Sequence, residues 1–191
     1  MKKVVLHHTC SRENGEDFVR ENAPFLAEDN PRNRKYQFLG TGYYLWEDDI
    51  EQAKHWGEVH YKNSYFVVEF ECDIEEEDIL NLNEREGQKA LYEMIEEIQT
   101  EFGVNLRKLP LSKIFEVIYR SKITFNYKTI KVKDEFSSRR RQEAFKFTSV
   151  KDNFTYLGGV YFYFFKNKID FGLRKIYSYD TVSYTHLTLP T

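Results

Sequence analysis

Ser64 to Cys72 reads SYFVVEFEC, an alternation without a break. Phe66, Val68, Phe70 and Cys72 fall on one side, and Tyr65, Val67, Glu69 and Glu71 on the other. Successive side chains of an extended chain point to opposite faces, so the pattern predicts a strand with one wholly apolar face. Twenty residues on, the period changes. Within Glu84–Phe102 the apolar residues Leu91, Ile95, Ile98 and Phe102 recur every three or four positions, with charge on the other faces. That spacing predicts the longest helix of the chain, ended by Gly103.

The remaining segments follow the same two periods. Lys3–Leu6 reads as a first strand, and Ser11–Leu26 as a helix with a weak capping signal from Ser11 to Asn14. Glu28–Lys35 is a polar loop, and Tyr36–Trp46 is a pair of strand pieces around a Gly-x-Gly bend. Asp48 or Asp49 caps a short helix over Ile50–Trp56, which Gly57 should end, and Ser112–Arg120 is a further helix. Strands are expected at Ile123–Val132, Glu143–Thr148, Tyr156–Phe165 and Ile169–Tyr177, the last two joined as a hairpin around Asn167. Strands broken by helices, with strands dominating the second half, make an α+β domain over residues 1–181.

Composition narrows the setting. The chain has 191 residues, enough for one core, and its 17% aromatic share excludes a disordered chain. No apolar run approaches the ~18 residues of a membrane span, and Met1–Leu6 lacks the apolar stretch of a signal peptide. Cys10 and Cys72 cannot build a disulfide framework and lack metal-ligand spacing, so a reduced cytoplasm is expected. A net charge of −3 gives no general pull toward nucleic acid. Arg139–Arg141 reads as a solvated loop, with a grip on phosphate or an acidic partner as the alternative. The final stretch, Val182–Thr191, reads VSYTHLTLPT and shares nothing with the aromatic segment before it. It resembles the conceptual translation of a sequencing-library adapter and is kept, with His186, out of the fold reading; a flexible tail is the alternative.

Three places could carry chemistry. His7 and His8 follow the first strand, where a ring nitrogen can face a ligand; a surface histidine pair is the plainer reading. In Leu39-Gly40-Thr41-Gly42-Tyr43-Tyr44-Leu45-Trp46 the glycines permit a tight bend or close approach to a ligand. Strand alternation then sends Tyr43 and Tyr44 to opposite faces, one packing inward and one free to offer its ring to a planar ligand. The plainer reading is a glycine bend in a core strand. Cys10 shares a face with His8, as a cysteine hydrolase would ask, but no third group orients the pair.

Together Leu6-His7-His8, Gly40-Thr41-Gly42-Tyr43-Tyr44-Leu45 and Gln52-Ala53-x-x-Trp56 resemble the ADP-ribosyltransferase superfamily. The likeness is to its diphtheria-toxin and poly-ADP-ribose-polymerase branch, with a His, Tyr, Glu signature, and rests mostly on residues 4–72. The resemblance implies two packed, mainly antiparallel sheets around an NAD cleft with flanking helices. It implies NAD as cosubstrate without a metal, and transfer of ADP-ribose to a protein or nucleic-acid acceptor, or to water. A toxin-like or antiphage effector, met by an antitoxin or immunity partner, would act this way. A catalytically silent module of the same fold would instead bind NAD, ADP-ribose or a protein partner.

By the same resemblance, His8 would hydrogen-bond the adenosine-side ribose and Tyr44 would stack on nicotinamide. Thr9, Gly42 and Tyr43 would complete the cofactor-binding set. The glutamate falls on Glu143 in Arg141-Gln142-Glu143-Ala144-Phe145-Lys146-Phe147, where it opens an alternating stretch. A one-residue slip would put Gln142 there instead; Glu135 and Glu116 are poorer candidates. The branch's glycine and hydroxyl residue after the histidine are Thr9 and Cys10 here, a departure at the point where the nicotinamide amide is held.

Overall fold

The alternation of SYFVVEFEC becomes a long strand next to one edge of a sheet. A computed structural model describes residues 2–30, 32, 37–61, 64–121, 125–135 and 160–180. In it β1 (Lys2–Ser11) runs antiparallel to β3 (Ser64–Ile74), in register from Lys2↔Ile74 to Ser11↔Tyr65. The other strands are β2 (Tyr43–Glu47), β4 (Ile79–Asn81), β5 (Thr129–Asp134), β6 (Val160–Phe165) and β7 (Gly172–Asp180). The spatial order is β4-β5-β6-β2-β1-β3-β7, antiparallel throughout except for the parallel pair β4–β5.

Four helices join this sheet: α1 (Gly15–Asn22), α2 (Ile50–His60), α3 (Arg85–Phe102) and α4 (Leu111–Arg120). On one face Leu6, Cys10, Leu45, Phe66, Val68, Tyr163 and Phe165 pack with Val19 of α1 and with Phe25, Ile169 and Phe171. On the other, Ile130, Phe162 and Phe164 pack under Ile98 of α3 and Ile114, Phe115 and Ile118 of α4. Ala53 of α2 packs on Tyr65 and Val67 of that same face. The sheet is therefore clothed on both sides, and its central strands are apolar in both registers, as VYFYFF in β6 shows.

The α+β class holds, and several finer expectations change. The described strands form one seven-stranded sheet rather than two packed sheets. The reason lies in β6, which bonds β5 along one edge and β2 along the other and so splices the two halves. Both its edges being taken, β6 cannot form the hairpin expected around Asn167; β7 instead adds to β3 at the far side. Residues 166–171 make that crossing over the face bearing Leu6 and Leu45. Ile79–Asn81 forms a short strand, stabilised by parallel pairing with β5, which no local pattern announced.

Helix ends also shift for identifiable reasons. α2 does not stop at Gly57 but runs to His60. A Cβ on Gly57 would fall within 2.3 Å of the Tyr65 ring, so the glycine serves helix–sheet packing rather than termination. Asp49 is the α2 cap, accepting from the Gln52 amide at 2.9 Å. α3 ends as expected, with Gly103 left-handed at φ +65. Glu143–Thr148, the arginine run Arg139–Arg141 and the segment 182–191 lie outside the described residues. No described helix is long and apolar enough to cross a membrane.

Candidate functional site

The motif residues meet at one end of the sheet, where β1 finishes, β2 begins and β6 turns toward β7. His8 and Tyr44, 36 positions apart, are joined directly: the His8 ring donates from Nδ1 to the Tyr44 carbonyl at 3.2 Å. The other ring nitrogen, Nε2, accepts from the Phe25 amide, also at 3.2 Å. These two bonds define a neutral imidazole, because Nε2 can accept from Phe25 only while unprotonated. Burial pulls the His8 pKa from 6.5 down to about 4; the bond to the Tyr44 carbonyl opposes the shift and the Lys168 ammonium adds to it.

The expected pairing of the His8 and Tyr44 side chains in one pocket is not what this geometry brings together. Leu6 stands opposite Glu47 and His7 opposite Trp46, so His8 shares its face with Leu45 and Tyr43, and Tyr44 points to the other side. The cause is strict alternation in β2: Leu45 must face the core beside Leu6, which sends both its neighbours away. The Tyr44 ring packs on Phe162 and Phe164, with centroids at 5.7 and 5.0 Å. Its hydroxyl donates to the Gly40 carbonyl at 2.7 Å and accepts from the Leu39 amide at 3.0 Å, closing the glycine bend.

The remaining cofactor-binding candidates have structural partners too. The Thr9 hydroxyl donates to the Ala53 carbonyl at 2.7 Å, on the face opposite His8, and so docks α2. Gly40 occupies φ +91, and a Cβ on Gly42 would meet the Phe164 ring at 2.2 Å and the Phe165 carbonyl at 2.7 Å. The Gly-x-Gly bend is thus accounted for by a left-handed turn and by contact with β6. Cys10 is buried, and desolvation pushes its thiol up to about 12, the opposite of what a nucleophilic thiolate needs. Glu116 on α4 is held by Lys113 and Arg120, and Glu135 by Lys133. Glu143 and Gln142 lie outside the described residues.

At this end of the sheet a half-open cleft of about 430 Å³ lies beside the bend. Ile118 and Tyr119 of α4, Phe125, Tyr127 and Lys128 before β5, and Lys166, Asn167 and Ile169 after β6 line it. Lys166 donates to the Thr41 carbonyl at 3.2 Å, tying the cleft to the glycine bend. No spacing rule would have gathered these residues; only the aromatic richness of the chain hinted at such a wall. Among the described residues no cluster of histidine, cysteine and carboxylate side chains could hold a metal. Comparison with protein-family models, with curated proteins and with solved structures found no match.

Proposed function

We propose that this chain is an NAD-dependent ADP-ribosyltransferase-like domain that moves ADP-ribose from NAD to a macromolecular acceptor or to water. The observation that best supports this reading is the direct bond between the two motif segments, His8 to the Tyr44 carbonyl, with a ligand-sized cleft beside the same glycine bend. In the reaction the bond from ribose C1′ to nicotinamide breaks and its electron pair leaves with nicotinamide. A bond from C1′ to the acceptor nucleophile forms, and the nucleophile gives up its proton. Positive charge develops on the ribose, so a carboxylate is required there, and Glu143 is assigned that role.

Under this reading the other two motif residues take different parts. His8, with both nitrogens bonded to backbone, shapes the site as a neutral pin between β1, β2 and the segment at Phe25. Tyr43, on the same face as His8 and half-buried against its apolar cluster, would take the planar ligand on that side. A second reading, a silent module that binds the dinucleotide without breaking it, draws support from the same bonds, since His8 keeps no ring nitrogen for a ribose hydroxyl.

Incubation with labelled NAD, with and without a cell lysate, separates these readings. Nicotinamide release that Glu143→Gln abolishes and Gln142→Ala leaves intact is the expected result; NAD affinity should be nearly unchanged, because the carboxylate acts in the transition state. Binding without release in the parent chain would establish the silent module. Neither binding nor release would remove the NAD reading altogether.

A further inference from the structure

The cleft between α4 and the β6–β7 connection is lined by aromatic faces and an ammonium group, a combination that selects among ligands. Tyr119 and Phe125 meet edge to face at 5.1 Å, and Phe125 and Tyr127 do so at 5.4 Å. All three rings remain partly accessible. Such a wall can take either a cation or a planar base, since both are drawn to a ring face. Lys166 decides between them. Its ammonium lies 5.5 Å over the Tyr119 ring and already supplies the positive charge, so a cationic ligand would be repelled.

The same ammonium has three N–H donors, of which the Thr41 carbonyl takes one. The neighbouring charges have partners of their own, and Glu116 also feels the Lys166 charge. Lys128 pairs with Asp78 at 2.5 Å, and Glu116 is bound by Lys113 and Arg120, each at 2.7 Å. Among the described residues lining this cleft, Lys166 is an ammonium with donors left to turn to an anionic group. A volume of about 430 Å³ suits a nucleotide rather than an isolated phosphate.

We propose that this cleft is a nucleotide site, with a base laid against Tyr119, Phe125 and Tyr127 and a phosphate held by Lys166. The proposal draws on the same cleft that supports the transferase reading, but it concerns binding alone and requires no bond cleavage. Titration calorimetry of the full chain with ADP, adenosine, inorganic phosphate and NAD tests it. ADP should bind roughly tenfold more tightly than adenosine, the usual worth of one charge-assisted contact, and phosphate alone should not register. Lys166→Gln, a change at an exposed side chain, should erase the difference between ADP and adenosine while leaving adenosine binding alone. Tyr127→Leu should weaken both by about tenfold through lost stacking.

ADP binding no tighter than adenosine, or a preference untouched by Lys166→Gln, would overturn the proposal. Should Tyr127→Leu fail to fold, the lysine variant alone decides. Competition between NAD and ADP would put the dinucleotide in this cleft; simultaneous binding would put it elsewhere and leave the nucleotide site standing. The two readings fail separately. ADP binding lost with Lys166 but no nicotinamide release would sink only the transferase, and release with no nucleotide preference at Lys166 would sink only the cleft.

Discussion

The two faces of the sheet hold their polar groups differently at the end where β1 and β2 meet. On the His8 face both ring nitrogens bond backbone, Phe25 packs on the His8 ring and stacks with Phe18, and Lys168 donates to the Asn22 carbonyl. On the Tyr44 face the tyrosine itself is spent on the glycine bend, but beyond it lies a cleft whose ammonium keeps unspent donors. A titratable residue at a motif position can be scaffold, while the group with binding capacity sits on a turn with no motif at all. The distinction is energetic. A buried polar atom bonded to backbone cannot switch to a ligand without leaving its partner unsatisfied, at a cost of about 1–3 kcal/mol.

The sharpest break in this comparison is Gly42→Ala, which attacks the bend both faces share. Its methyl would meet the Phe164 ring and the Phe165 carbonyl, neither of which can retreat within the core, so a loss of about 3 kcal/mol or more is expected in urea unfolding. Near-parental stability would mean that the bend is free to move and available to a ligand.

His8→Ala comes next. It strips a part-buried donor and acceptor of their partners and should cost about 1–3 kcal/mol. The pH dependence carries the signature of the neutral imidazole. The folded pKa of about 4 lies below the unfolded 6.5, so the unfolded chain binds the proton more readily. The stabilisation from His8 is complete above pH 6.5 and lost as pH falls toward 4, at most about 3 kcal/mol in all. Unfolding curves at pH 7 and pH 5 should differ less for His8→Ala than for the parent. A residual slope of the same sign belongs to His7, whose pKa burial also lowers. An unchanged slope would show that His8 is not the neutral pin described here.

Smaller effects refine the contrast on the other face. Tyr44→Phe removes the hydroxyl bonded to Leu39 and Gly40 and should cost about 1–2 kcal/mol, with NAD affinity unaltered. A large loss of affinity without loss of stability would return Tyr44 to the ligand. Lys166→Gln should change stability by less than about 0.5 kcal/mol, since the side chain is exposed, so its effect on ADP binding can be read without correction for folding.

How far the sequence could be read depended on whether each feature was local. The strand over Ser64–Cys72, the helix closing on Gly103 and a cap at Asp48 or Asp49 were legible because alternation, the helical period and capping chemistry act within a few residues. So were the opposite orientations of Tyr43 and Tyr44, which any extended chain imposes. What could not be read was which of the two shares a face with His8. That depends on the pairing of β1 with β2, a register set by burying Leu6 beside Leu45. The position of β6 between β5 and β2, the parallel pairing of β4 and the gathering of Tyr119, Tyr127 and Lys166 into one cleft likewise rest on contacts between distant segments. Local pattern determines what each segment can be; only the burial of apolar faces against one another selects which partners it takes, and with them which polar groups are spent and which are left to bind.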